Sequence, residues 1–208
     1  MTVDPDSPYA LDNPGEIERR QAMLSLPHIA PLIDYAQHIT ARTGSSHEIP
    51  LFDPCDGGIY AEALFLLEAP GRKAVGSNFI SRNNPDPSAR TMCTLLAKAE
   101  LPRKATLLWN IVPWYIGNES TIRSVTKSDI NAALPFVEGL INLLPDLKAI
   151  ALVGRKAQSA KFQLAQLTSA RLFETHHPSR RVMNRWPERR GEMLDTFRSL
   201  ASYLKGKA

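Results

Sequence analysis

A carboxylate, an amide and an imidazole each stand at the end of an apolar run in this sequence. Glu68 follows Leu64-Phe65-Leu66-Leu67 and leads into Ala69-Pro70-Gly71. Asn110 closes Thr106-Leu107-Leu108-Trp109, and His176-His177-Pro178-Ser179 follows Leu172-Phe173-Glu174-Thr175. Short apolar runs bounded by turn residues read as buried strands. The three polar groups have complementary chemistry. A carboxylate orders water or balances a cation, a planar amide offers a donor and an acceptor together, and an imidazole stabilises a developing negative charge. In open α/β sheets ligands bind beyond the carboxyl ends of the strands, so parallel strands would bring Glu68, Asn110 and His177 to one edge. A metal shared by His176 and His177 with Glu68 or Asp53 is not expected, because adjacent residues on a strand point apart.

The elements that would position these groups follow in chain order. Residues 1–14 carry Pro5, Pro8 and Pro14 and read as an extended arm without its own core. Helical spacing of apolar residues covers 16–26 and 28–43, with Gly44 closing the second segment, so residues 15–50 form N-terminal helices. Asp53 and Asp56 lie among Pro54, Gly57 and Gly58, where turn chemistry accounts for them, with cation binding as the alternative. After the first strand, 72–89 reads as one long loop of a kind that is often functional. Its Phe79 is either a stacking platform or an anchor to the core. Helices over 88–100, 128–144, 154–167 and 195–204 then alternate with strands ending at Asn110, Gly154 and the histidines. Strands alternating with helices of that length imply crossover connections, hence a three-layer α/β/α sandwich around a four-stranded parallel sheet.

Composition narrows the function classes. A chain of 208 residues with 43% hydrophobic residues suits a single domain. The net charge of +4 says little by itself, but Arg180, Arg181, Arg185, Arg189 and Arg190 crowd around Trp186 directly after the histidines. That cluster is either a nucleic-acid contact or a solvated helix face. Two cysteines, Cys55 and Cys93, are too few for a disulfide framework or an all-cysteine metal site, and fit a reducing cytoplasm. No apolar run reaches the roughly 20 residues of a membrane span, and the first residues lack the pattern of a signal peptide, so no membrane partner is expected. Walker, GxGxxG and Gly-x-Ser-x-Gly motifs are all missing from the sequence, which leaves nucleoside triphosphates, dinucleotides and the common serine hydrolase mechanism unsupported.

Leu67-Glu68-Ala69-Pro70-Gly71 resembles the Gly-Glu-x-Pro-Gly first motif of the family 4 branch of the uracil-DNA glycosylase superfamily, and His177-Pro178-Ser179 is similar to its second motif. Phe79 and Asn110 fall where that superfamily has its base-stacking aromatic and its base-reading Asn. The similarity spans roughly residues 60–190. It implies the same four-stranded parallel sheet and a monomeric, monofunctional enzyme that flips uracil out of DNA, hydrolyses its N-glycosidic bond, and releases free uracil beside an abasic site. By the same resemblance His177 would stabilise the uracil O2 anion, and Glu68 would position water or stabilise the cationic sugar. Asn110 would pair with the uracil edge while Phe79 and Ala69 hold the base. Pro70, Gly71, Ser179, Arg180 and Arg181 would grip phosphates, with Val182 or Met183 as the wedge that fills the vacated stack.

The departures define expectations too. Family 4 members usually hold an iron–sulfur cluster on four cysteines, so this chain is expected to carry no cofactor. Leu67 stands where the family has Gly. Arg72 and Lys73 stand where it commonly has acids, and Arg180-Arg181-Val182 replaces the usual Pro-Leu-Ser. A divergent branch follows, open to other deaminated bases such as xanthine or hypoxanthine. Two other readings stay open: a non-catalytic module of the same fold that binds damaged DNA or a nucleotide, and an unrelated α/β hydrolase acting on small amides or nucleosides.

Overall fold

The computed structural model describes residues 4–44, 48–118 and 121–206. Its elements run α1 (Pro14–Gln21), α2 (Ala30–Thr43), β1 (Leu51–Phe52), β2 (Ala63–Leu67), α3 (Arg72–Ser77), β3 (Phe79–Ile80), α4 (Pro87–Lys98) and β4 (Thr106–Asn110). They continue as α5 (Lys127–Asn142), β5 (Ala149–Val153), α6 (Arg155–Gln158), α7 (Lys161–Leu167), β6 (Arg171–Thr175), α8 (Arg180–Arg185) and α9 (Arg189–Leu204).

Strands β2, β4, β5 and β6 form one parallel sheet in the order β4-β2-β5-β6. The expected architecture is therefore present, and its register matters for the site. Leu67 pairs with Asn110, Leu66 with Leu152, and Val153 with Thr175, so the four strands finish nearly level. The central strands β2 and β5 are buried along both faces, as helical cover on each side requires. Phe65 of β2 meets Phe197 of α9 edge-on, while on the opposite face Trp109 of β4 stacks against Phe52. Helix α4 packs with α9, and α2 with α5, completing the outer layers. Among the described residues no helix is long and apolar enough to cross a membrane.

Several local expectations change, among them the last helix, expected over 195–204 and observed over Arg189–Leu204. The stretch 72–89 is not a structureless loop: it holds α3 and β3, the latter paired in parallel with β1. Two-residue strands are too short to show a period in sequence. The helix expected over 154–167 breaks at Ser159-Ala160 into α6 and α7. The first helix ends at Gln21 and turns follow. Helix α8 forms in the basic stretch, where Ser179 caps it by accepting from the Val182 amide.

The arm lies across the domain, with Ala10 and Leu11 buried. Beneath it Asp53 and Asp56 do more than shape a turn. Asp53 Oδ1 accepts from the Cys55 amide at 2.9 Å, as a turn residue would. Its Oδ2 takes Arg20, Arg103 at 2.7 Å and the Ser81 hydroxyl at 2.5 Å. Asp56 accepts from Arg103 Nε at 2.9 Å and faces Arg82 at 3.4 Å. Arginines are the counter-ions, which leaves no role for a metal cation there. Arg20 also reaches Pro5 O, and Arg103 reaches Asp6, so this ionic cluster fastens the arm.

Candidate active site

Asn110 ends β4 and His177 lies two residues beyond β6, the two edge strands of the sheet. Three strand spacings, about 14 Å, separate those edges, so a common site requires His177 to lean back over the end of β5. Gly154 permits it. This residue ends β5 with φ +90°, and a Cβ built on it would stand 2.9 Å from His177 Cβ and 3.1 Å from its Cδ2. A side chain there would occupy the path of the imidazole, and the backbone conformation also favours glycine.

The resulting cleft has a volume of about 520 Å³. Its walls include Leu67, Ala69, Pro70 and Gly71 from the β2–α3 turn, Asn110 from β4, and His177 and Ser179 from the β6–α8 turn. The size suits a single planar ring with room at the mouth. Arg180 and Arg181, both exposed, stand at that mouth together with Arg72 and Lys73.

Asn110 is 3% exposed, and its Nδ2 is buried with no hydrogen-bond partner among the described residues. An unpaired buried amide costs about 1–3 kcal/mol. Asn110 itself lines the cleft.

His177 is poised as a neutral donor. Burial lowers its pKa from the ordinary value, a shift that the nearby carboxylates Glu68 and Asp86 oppose without cancelling. The Ser179 amide donates to Nδ1 at 3.2 Å, so the neutral ring carries its proton on Nε2. His176 points elsewhere, with Nε2 2.5 Å from Glu192 on α9.

Glu68 is half-buried and lines a neighbouring groove, not the cleft that holds Asn110. That groove shares His177, Ser179 and Arg181 with the cleft, so the two adjoin at the imidazole. The cleft has a carboxylate of its own in Asp86, the N-cap of α4, whose Oδ1 accepts from the Ser88 and Ala89 amides at 2.8 and 3.0 Å. In sequence Asp86 falls within the stretch 72–89 that reads as loop, and no motif marks it.

Two sequence assignments need correction. Phe79 is 0% exposed and does not line the cleft. Its pairing with Leu51 in β3 turns the ring into the interior, and its neighbour Ile80 faces the cleft instead. Met183 is 6% exposed and packs into the core from α8, so it does not project as a wedge; Val182 is half-buried against the same core. Both misreadings share a cause: an apolar side chain in a polar stretch signals burial as strongly as it signals a ligand contact.

A four-thiolate cluster does not fit this chain. Of its two cysteines, Cys93 bonds to Asp6 O and Cys55 accepts from Arg19. Among the described residues no group of three or more potential ligands could hold a metal ion.

A parallel α/β sheet thus brings an amide and a neutral imidazole to one ring-sized cleft at its strand ends. The profile of the Uracil DNA glycosylase superfamily matches residues 56–201, most of the chain, and the protein belongs to that superfamily. Among solved structures it is similar to the solution NMR structure of a protein from Methanosarcina acetivorans described as a candidate uracil DNA glycosylase. That likeness has 18% identity over 68% of this chain and 92% of the other, with a TM-score of 0.47. No curated protein matches the sequence.

Proposed function

We propose that the protein excises uracil from DNA by hydrolysing the N-glycosidic bond, leaving an abasic site. The observation that carries this reading is Asn110, buried and with its Nδ2 unpartnered among the described residues, lining the same cleft as a neutral His177. Uracil presents an O4 acceptor beside an N3–H donor, which an amide side chain matches with its own donor and acceptor. Cytosine presents the reverse pattern, which the amide matches only after a half-turn about its Cβ–Cγ bond, so selectivity requires that its orientation be held. Cleavage leaves negative charge on the departing base, and the Nε2–H of His177 donates where that charge collects. An uncharged donor suits this role, since it needs no proton uptake before it acts.

Glu68 and Asp86 flank the imidazole and supply negative charge opposite the cationic sugar. The apolar wall of Ile80 and Leu67 takes the place of the aromatic face that Phe79 does not provide. Pro70, Gly71 and Ser179, with Arg180 and Arg181 at the mouth, are suited to phosphates and would hold the strand while the base is extruded.

A second reading is favoured by one observation: Glu68 opens into the adjoining groove, and Arg72 and Lys73 follow Gly71 where acids would serve a water. In that reading the protein binds the flipped base without turnover. Incubation with a uracil-containing oligonucleotide followed by alkali separates the two. Strand scission supports excision; a gel shift without scission supports the binding module, and neither outcome removes both.

A further inference from the structure

The cleft has a second neighbour that the motifs do not mention. Between the arm, α4, α8 and the start of α9 lies a groove of about 500 Å³ walled by Tyr9, Arg90, Thr94, Arg180 and Arg190, with Met183 also part of its wall. All three arginines are exposed, and none forms an ion pair among the described residues. Tyr9 is held with φ 67°, a conformation uncommon for an aromatic residue, and Arg90 stands 5.8 Å from its ring centroid. The arm that presents Tyr9 is anchored by the bond from the Leu11 amide to Asn83 O and by the ionic cluster described above.

The groove is continuous with the base cleft through Pro87 and Arg180, just as the groove on the other side is continuous with it through His177, Ser179 and Arg181. Three unpaired guanidiniums in a concave site fit an anion. A free anion would occupy one groove alone. A strand that lodges one base in the central cleft carries phosphates out of it, and this groove adjoins that cleft.

We propose that the Tyr9–Arg90–Arg190 groove is a subsite for the nucleotide adjoining the target, with the arginines on its phosphodiester and Tyr9 against its sugar or base. The proposal rests on the reading of the central cleft as the base site. It assigns strand binding to two segments outside the motifs, the N-terminal arm and α4.

The test uses the full chain and a single-stranded oligonucleotide with a tetrahydrofuran abasic analogue at its centre, which cannot be cleaved. Fluorescence anisotropy is measured across a salt series for the wild type, Arg90→Ala/Arg190→Ala, Arg90→Lys/Arg190→Lys, and Arg42→Ala as an exposed charge control on α2. The double alanine variant is expected to bind about tenfold more weakly at low salt, with the dependence of log K on log salt flattened by about 1. The lysine variant should retain most of that slope, and Arg42→Ala should leave it unchanged. Neutral methylphosphonates beside the analogue should weaken the wild type and leave the double alanine variant indifferent. Equal slopes for the wild type and the double alanine variant, or an equal loss in Arg42→Ala, would overturn the subsite. Because no bond is cleaved in this measurement, its failure is separate from a failure of excision. A protein that binds through these arginines but never releases uracil would lose the proposed activity and keep the groove.

Discussion

The ionic cluster under the N-terminal arm and the cleft at the strand ends are both buried and both polar, yet they treat their polar atoms in opposite ways. In the cluster, Asp53 is 0% exposed and collects two guanidiniums, a hydroxyl and a backbone amide. The atoms it leaves over, Asp56 Oδ2 and Arg82 Nε, belong to residues already paired with each other. In the cleft, neither Asn110 Nδ2 nor His177 Nε2 has a hydrogen-bond partner among the described residues. On the proposed function, the difference separates polarity that holds a fold from polarity reserved for a ligand. A buried charge must be compensated within the protein, whereas an amide can wait for a partner at modest cost.

That contrast can be broken most sharply at the cleft. His177→Ala is expected to lower the rate of uracil release by about 10²–10³-fold, as loss of one preorganised donor does, with little change in melting temperature. Single-turnover release of labelled uracil, beside a thermal melt, gives both numbers. Near-normal release would take His177 out of the mechanism. The cluster should respond in the other direction. Asp53→Ala leaves Arg20 and Arg103 buried without their shared carboxylate, and should cost about 3–5 kcal/mol in urea unfolding. A loss under 1 kcal/mol would mean that the arm and its arginines rearrange freely.

Asn110→Leu tests the reserved amide from the stability side. Replacing it with an apolar group of similar shape removes an unsatisfied donor, so stability should rise by about 1 kcal/mol, or about 2–4 °C in melting temperature, while uracil selectivity is lost. A less stable variant would indicate that the amide is already satisfied.

The smallest expected effect is on pH dependence. Burial places the folded His177 pKa below the ordinary 6.5, so the unfolded chain takes up its proton first as pH falls. Stability from this residue is complete above pH 6.5 and is lost as the pH drops from there through the folded value. The acid limb of the rate profile should likewise lie below pH 6.5. An NMR titration placing His177 above 6.5 would contradict both.

Much of this was legible in the sequence. Apolar runs announced β2, β4 and β5, and the polar residues Glu68, Asn110 and His177 that follow β2, close β4 and follow β6 marked the sheet edge where the candidate site lies. The parts that were not legible depend on where side chains turn once distant segments meet. Nothing near Phe79 in sequence reveals that a two-residue pairing with Leu51 turns its ring inward, and Ile80 carries no motif at all. Asp53 and Asp56 showed their turn chemistry, but their arginine partners come from positions 20, 82 and 103. The role of Gly154 was equally hidden, because it depends on His177 passing over it.

The outermost positions of β4 and β6 have a thermal consequence. Each of these strands has a neighbour on one flank only, so they are the first candidates to fray on warming, ahead of β2 and β5. The amide rides on one and the imidazole on the other. Heat should therefore silence the cleft while the centre of the sheet still holds its amide protons against exchange.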